Sequence, residues 1–221
     1  MLHHSILNLE KNPIVIVFDN FLMGVAMLFL SILFAVAVAE VEVIQPEQKV
    51  EEPVEKPKIL VVYYSRTGTT EKIGGLIASA VEADAEKLVD KKDRSGAWGY
   101  LVGGKDAGFE NETELQELKY DPGEYDLVII GTPIWSWNMT PAIRTYITKN
   151  KDKIKNVAFF TTSGGTSYEK VVPLMEKHLG KEALFKTGFL EKEVKNDSVE
   201  MIEKLRTLNK FIENFFSTIA L

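Results

Sequence analysis

Residues 59–70 read ILVVYYSRTGTT, and this stretch decides the fold. The first six residues are all apolar or aromatic, which is typical of a strand buried on both faces of a parallel sheet. The next six form a hydroxyl-rich turn with a single glycine. An amphipathic stretch at residues 70–81 follows, with one apolar stripe made of Ile73, Leu76, Ile77 and Val81. A buried strand, a short polar turn and a helix in this order predict an α/β domain.

The same alternation continues along the chain and predicts four more strands, at residues 85–89, 126–130, 157–161 and 183–189. Helices are also predicted at residues 112–118, 141–149 and 168–179. A last helix begins at Asp197, which caps it while Glu200 reaches back in a capping box. We therefore expect a doubly wound, five-stranded parallel sheet with helices on both faces.

Residues 91–108 are rich in glycine and contain Trp98 and Tyr100. Their pattern leaves three interpretations open: a lid over a ligand, a docking surface, or an irregular loop whose aromatic side chains fill the core.

The N-terminal part has a different composition. Residues 21–39 are nineteen residues without a charge, and a helix of that length covers about 28 Å, close to the ~30 Å hydrocarbon core of a bilayer. Ala37 and Ala39 have the small-x-small spacing of a signal-cleavage site, but the run is longer than a usual signal core. A retained membrane span is favoured over a cleaved secretory signal, and a buried core helix is the third alternative.

Residues 40–57 hold six Glu, two Lys and three Pro, a composition too polar to form a core. We interpret them as a linker that reaches about 55 Å at ~3.1 Å per residue. The chain thus divides into an N-terminal tail (1–20), a hydrophobic segment (21–39), the linker (40–57) and the α/β domain (58–221). Lysines after the apolar run outnumber those before it, which favours a single-pass protein with a cytoplasmic domain; signal cleavage would instead export the domain.

Composition also excludes several classes of function. The formal net charge is -6 and the pI is near 5.3, which argues against a nucleic-acid surface. The chain has no cysteine, so it has no disulfides, thiolate nucleophiles or iron–sulfur ligands. Redox chemistry would therefore require a bound cofactor.

Three polar loops follow predicted strands, and the carboxyl ends of parallel strands meet at one edge of the sheet. Residues 65–70 offer hydroxyls and a helix start, which together suit a phosphate. Residues 131–141 carry two tryptophans, which can stack on a flat aromatic ligand. Residues 161–166 are polar and contain two glycines. Each loop alone has a plainer interpretation: a capped turn, indoles packed inward, or a flexible turn.

These loops resemble those of the flavodoxin family and its single-domain FMN-binding relatives. The resemblance rests on a phosphate-type loop, a flavin-flanking loop and a third flavin loop, which are Ser65-Arg66-Thr67-Gly68-Thr69-Thr70, Thr132-Pro133-Ile134-Trp135 and Thr162-Ser163-Gly164-Gly165. It covers about three quarters of the chain. It implies an FMN cofactor and a role in electron transfer.

The resemblance also implies roles for individual residues. The FMN phosphate would be held by Ser65, Thr67, Gly68, Thr69 and Thr70. The ring would lie along Pro133, Ile134 and Trp135, and its polar edge would meet Ser163, Gly164 and Gly165. Arg66 and Thr132 lie within these loops and are also candidate cofactor-binding residues, although we expect the Arg66 side chain to point to solvent and the phosphate to have no Lys or Arg partner.

The third loop lacks the acidic Gly-Asp and Tyr arrangement of electron-carrying flavodoxins. A second stacking aromatic would then come from Tyr168, Trp98 or Tyr100. We expect a membrane-tethered electron-transfer protein that acts on redox partner proteins or a small-molecule electron acceptor. An FMN-dependent NAD(P)H:quinone-type oxidoreductase is the main alternative, and a flavin-free interaction module is the third.

Overall fold

The computed structural model describes residues 23–25, 27–28 and 57–219. The predicted tail, nearly all of the hydrophobic segment and the linker lie outside these residues. Among the residues described, no helix combines the length and the apolar character needed to cross a membrane.

The domain is built on a five-stranded sheet in which every neighbouring pair is parallel. The strands are β1 (Ile59–Tyr63), β2 (Asp84–Lys87), β3 (Leu127–Pro133), β4 (Val157–Ser163) and β5 (Phe185–Leu190). Their order in space is β2-β1-β3-β4-β5, so β3 is central. All five predicted strands are confirmed, and the order reverses direction at β1, where a doubly wound sheet places its ligand crevice.

Six helices surround the sheet within residues 57–219: α1 (Thr69–Ala80), α2 (Gly96–Gly108), α3 (Pro141–Asn150), α4 (Val172–Leu179), α5 (Glu191–Lys195) and α6 (Val199–Ile219). One core layer joins alternate strand residues such as Val62 and Ile130 to α3 and α4. The other joins Val61 and Ile129 to α1 and α6. Successive strand residues thus face opposite layers, as the period-2 geometry of strands requires.

The prediction of a helix at residues 112–118 is wrong. This segment is extended and pairs with the residues that follow β2. Lys91 N donates to Glu114 O at 2.9 Å, and Gln116 N donates to Val89 O at 2.9 Å. The backbone hydrogen bonds to a distant segment outweigh the local helix propensity of residues 112–118.

Two helix starts also differ from the prediction. Ser198, not Asp197, caps α6, because its Oγ accepts from Met201 N at 3.3 Å while Asp197 pairs with Lys72 at 2.6 Å. The helix predicted from residue 168 is divided into a 3-10 turn, Tyr168–Lys170, and α4. Pro173 has no backbone N–H to donate, so it is tolerated in the first turn of α4 but not inside a longer helix.

Candidate ligand-binding site

A cavity of about 430 Å³ opens at the carboxyl edge of the sheet. Its volume falls within the range of small-molecule sites. The loops after β1, β3 and β4 form three of its walls, and helix α2 forms the fourth. The lining residues are Arg66, Thr67, Thr69, Thr70, Tyr100, Leu101, Gly104, Lys105, Pro133, Ile134, Trp135, Ser136, Thr162, Ser163, Gly164 and Glu191.

The loop after β1 presents the N-terminus of α1 to this cavity. Gly68 caps the helix with φ +91°, a left-handed conformation that favours glycine, and no side chain caps the helix start. The Gly68 N–H donates to Ser65 Oγ at 3.1 Å, and Lys72 N makes the first intrahelical bond, to Gly68 O at 2.9 Å. The N–H groups of the first turn therefore have no carbonyl partner in the helix. They form an electropositive end that suits an anionic group.

The loop after β3 contains a tight two-residue turn. Trp135 N and Asn138 N each donate to the other residue's carbonyl, at 3.0 Å and 2.9 Å. The two residues inside the turn, Ser136 and Trp137, have φ +46° and +57°. This left-handed conformation is unfavourable for residues with a Cβ, so contacts outside the turn must hold it.

Trp135 and Trp137 have different environments. Trp135 is half-buried, lines the cavity, and meets Tyr64 edge-to-face with ring centroids 5.6 Å apart. It also packs against Gly103 of α2, where an added Cβ would lie 2.6 Å from the indole carbon Cζ3. Trp137 is 67% exposed and lies outside the cavity lining. Trp135 alone of the two is therefore placed to contact a ligand.

A buried hydrogen bond joins the first and third loops. The hydroxyls of Thr70 and Thr162 are 2.7 Å apart. In the third loop, Ser163 Oγ donates to Thr166 O at 2.6 Å. The first bond ties the loop after β1 to the end of β4, and the second closes the third loop on itself.

Helix α2 was missed by the sequence analysis, which left residues 91–108 open. It brings Tyr100 and Lys105 to the cavity. Tyr168 packs instead against Gly188 of β5, and Trp98 is exposed outside the lining. Of the three candidates for a second aromatic, Tyr100 is the one at the cavity. The four-residue spacing of Gly99, Gly103 and Ala107 marks a small-residue helix face and was the signal available in the sequence.

The expectation that Arg66 points to solvent is wrong. Its guanidinium carbon lies 5.1 Å from the Tyr100 ring centroid and 6.0 Å from that of Trp135. Cations are attracted to aromatic faces at such distances. Arg66 and Lys105 both line the cavity, and the lining includes one carboxylate, that of Glu191. The cavity therefore has cationic side chains where only neutral donors were expected.

An ion cluster fastens α2 to the segment that precedes it. Arg94 is buried and pairs with Asp90 at 2.5 Å and with Asp106 of α2 at 2.9 Å, and Lys92 pairs with Asp106 at 2.8 Å. Although burial raises the pKa of Asp106, hydrogen bonds from Lys92 and Arg94 help to lower it to about 2. The wall formed by α2 is thus held by charge as well as by packing.

Four predicted site residues do not line the cavity. Ser65 and Gly68 shape the first loop through the hydrogen bond described above. Thr132 is buried, and its Oγ1 accepts from Thr140 N at 3.1 Å. Gly165 is exposed beyond the third loop's contact with the cavity. The other nine line it: Arg66, Thr67, Thr69, Thr70, Pro133, Ile134, Trp135, Ser163 and Gly164.

Comparisons with known proteins give a family and several similar folds. Residues 58–205 match the family model described as flavodoxin. A flavoprotein from Lactobacillus acidophilus, solved in complex with FMN, is 26% identical over 64% of this chain and 98% of its own, with a TM-score of 0.54. A protein from Bacteroides eggerthii classed as a flavoprotein is 28% identical over 64% and 95%, with a TM-score of 0.53. No protein with a curated description matches the chain.

Proposed function

The chain belongs to the flavodoxin family and is an FMN-binding flavoprotein, and from this premise we propose that it is an electron-transfer protein serving redox partner proteins. The observation that carries the proposal is the convergence, on one cavity, of an uncapped helix N-terminus and the Trp135 ring.

The residues present fit FMN. The phosphate would be held at the N-terminus of α1, by backbone N–H groups and the hydroxyls of Thr67 and Thr69, with Arg66 as the nearby cation. The flavin ring would have Trp135 and Tyr100 on one side and the third loop on the other. Gly164 has no Cβ, so the backbone of the third loop can approach the edge of the ring closely.

The bound FMN would accept and donate electrons reversibly, and the protein's share is binding, orientation and electrostatics. Arg66 and Lys105 place positive charge at the cavity, which stabilises an anionic ligand there. Within residues 57–219, the side chains that line the cavity include one carboxylate, Glu191, and no histidine. This lining is suited to binding an anionic cofactor, and turnover with NAD(P)H separates a carrier from a reductase.

The first experiment compares FMN with riboflavin, which lacks the phosphate. The purified full chain is mixed with each flavin in excess, unbound flavin is removed, and the retained absorbance is measured. We expect FMN to be retained and riboflavin to be lost, because the helix terminus and Arg66 act on the phosphate. A folded chain that stays colourless with FMN would contradict the proposed function.

The second experiment separates a carrier from a reductase. The loaded protein is mixed with NADH or NADPH and a quinone, and nucleotide oxidation is followed at 340 nm. A carrier alone oxidises neither nucleotide at a useful rate and needs a partner reductase. Fast turnover without a partner would favour the FMN-dependent NAD(P)H:quinone-type oxidoreductase.

The membrane location stays a proposal that rests on residues 21–39. Their nineteen uncharged residues have the length of one bilayer span, and the excess of lysine after them favours a cytoplasmic domain. Alkaline extraction of membranes containing the full chain tests the span, and protease protection of intact vesicles tests the side. Release of a processed, exported domain would contradict both.

A further inference from the structure

Helix α2 buries its small residues and exposes its large apolar ones, which is the opposite of an ordinary surface helix. Its small residues Gly99, Gly103 and Ala107 are buried. Its outer face and the residue directly after its end present one stripe, spaced three or four residues apart, which we name the α2 stripe: Trp98, Leu101 and Lys105 of α2, and Phe109 at its C-terminal cap. The three apolar members are 78%, 62% and 72% exposed. A surface helix normally buries its large apolar residues and exposes its small or polar ones.

Packing fixes which face of α2 is buried. A Cβ at Gly99 would lie 2.2 Å from the carbonyl carbon of Arg94, and one at Gly103 would lie 2.6 Å from Trp135. No larger side chain fits on that side, so α2 cannot rotate to bury the stripe. The Arg94–Asp106 ion pair also holds the helix in this orientation. The exposure of the stripe is therefore a stable property of the fold.

Contiguous exposed apolar residues on a protein indicate a surface that binds something. We propose that the α2 stripe docks on the surface of a lipid bilayer. Its apolar members are those of a helix lying in the membrane interface: tryptophan, leucine and phenylalanine.

The rest of the chain supports this occupant over a soluble partner. Residues 21–39 have the length and composition of a membrane span, and residues 40–57 reach about 55 Å when extended. Strand β1 has five residues, or about 17 Å at ~3.3 Å per residue. The linker is therefore long enough to pass the sheet from its amino edge and still let the carboxyl edge, where α2 lies, meet the bilayer.

Docking would bring the cavity to the membrane. Leu101 belongs to the stripe and also lines the cavity, next to Tyr100. An electron acceptor dissolved in the lipid would then reach the cavity without crossing water. Access of a lipid-dissolved acceptor rests on the proposed electron-transfer function, and the choice of the bilayer as occupant rests on the proposed membrane span at residues 21–39.

The chain has three tryptophans, Trp98, Trp135 and Trp137, so its indole fluorescence reports on this region. The full chain is incorporated into phosphatidylcholine vesicles whose acyl chains carry bromine, which quenches indoles that touch lipid. The difference in tryptophan emission between the wild type and Trp98→Phe is the contribution of Trp98. We expect this contribution to be quenched at least twofold relative to vesicles without bromine.

A charged substitution tests whether the stripe causes the contact. Phe109→Glu puts a carboxylate on the stripe outside the cavity lining, and Val199→Glu on α6 is the matched control, since Val199 is 67% exposed on another surface. We expect Phe109→Glu to abolish the quenching of Trp98 and Val199→Glu to leave it unchanged.

Three results would overturn the proposal. The first is equal Trp98 emission in vesicles with and without bromine. The second is quenching of Trp98 that Phe109→Glu does not change. The third is a dimer that Phe109→Glu dissociates in sedimentation, with no quenching of Trp98 by the lipid. FMN retention is measured on the same samples. Because Phe109 lies outside the cavity lining, loss of docking with FMN still bound would leave the proposed function intact.

Discussion

Arg144 Nη2 donates a hydrogen bond to Asn138 Oδ1 at 3.0 Å, and the same oxygen accepts from Met139 N at 2.9 Å. Arg144 lies on α3 and is 4% exposed. Asn138 closes the tight turn that begins at Trp135. The guanidinium therefore fixes, from beneath the surface, the turn that presents Trp135 to the cavity.

Arg144→Met is expected to weaken FMN binding by about 3- to 10-fold, the equivalent of one lost hydrogen bond of about 1 kcal/mol. The stability of the fold should change little, since the substitution also removes a buried cation whose Nε has no partner. Flavin titration and urea unfolding measure the two effects. Glu110→Gln, which removes only the exposed partner of Arg144 at 3.6 Å, is the control. An unchanged affinity in Arg144→Met would show that the turn holds itself.

Trp135→Ala is expected to raise the dissociation constant for FMN by about 2- to 12-fold or more, because an aromatic pair contributes ~0.5–1.5 kcal/mol beyond area burial. Trp137→Ala alters the neighbouring exposed indole and should leave the constant within about twofold. Quenching of flavin fluorescence gives both constants. Equal effects of the two substitutions would refute the separate role of Trp135.

Gly103→Ala adds a Cβ 2.6 Å from the Trp135 ring and must push the indole away from its seat on α2. We expect weaker FMN binding and a loss of stability of about 1–3 kcal/mol, which is typical of overpacking. Gly75→Ala on α1 has no atom within 4 Å of the new Cβ and should stabilise the helix slightly. Thermal unfolding and flavin titration on both variants check the pair. If Gly103→Ala behaved like Gly75→Ala, the contact would not constrain the ring.

Asp106 gives the fold a defined acid sensitivity. Its pKa is about 2 in the folded state, below the ordinary value near 3.8, so its stabilising effect is complete above pH 4 and is lost as the pH falls to about 2. Because water screens this partly solvated carboxylate, we expect the effect to be on the order of 1 kcal/mol. We expect wild type to be more stable than Asp106→Asn at pH 6 and the difference to disappear near pH 2. Urea unfolding at each pH measures it, and a difference independent of pH would contradict the assignment.

The strands and the first loop could be predicted from the sequence because their signals are local. Residues 59–64 are continuously apolar, and the turn chemistry of residues 65–70 follows directly. The same reasoning predicted a ligand edge at Trp135, which lines the cavity. These features depend on the periodicity and on the glycine and hydroxyl content of single segments.

Helix α2 could not be predicted in this way, because what holds it is distant in sequence. Its glycines reduce helix propensity, so residues 96–108 lack the composition of a stable helix, and the helical spacing of its small residues does not show which face is buried. The helix is stabilised by Arg94 and by the Trp135 ring. Likewise, residues 112–118 look helical by composition but form backbone hydrogen bonds with Val89 and Lys91. Long-range partners decide both segments.

The hydroxyl pair formed by Thr70 and Thr162 connects residues 92 positions apart in the chain. Anyone who transplants either loop into a related scaffold must carry the other loop as well, because a lone threonine would be left buried with no companion. For protein engineering, the two loops are a single cassette.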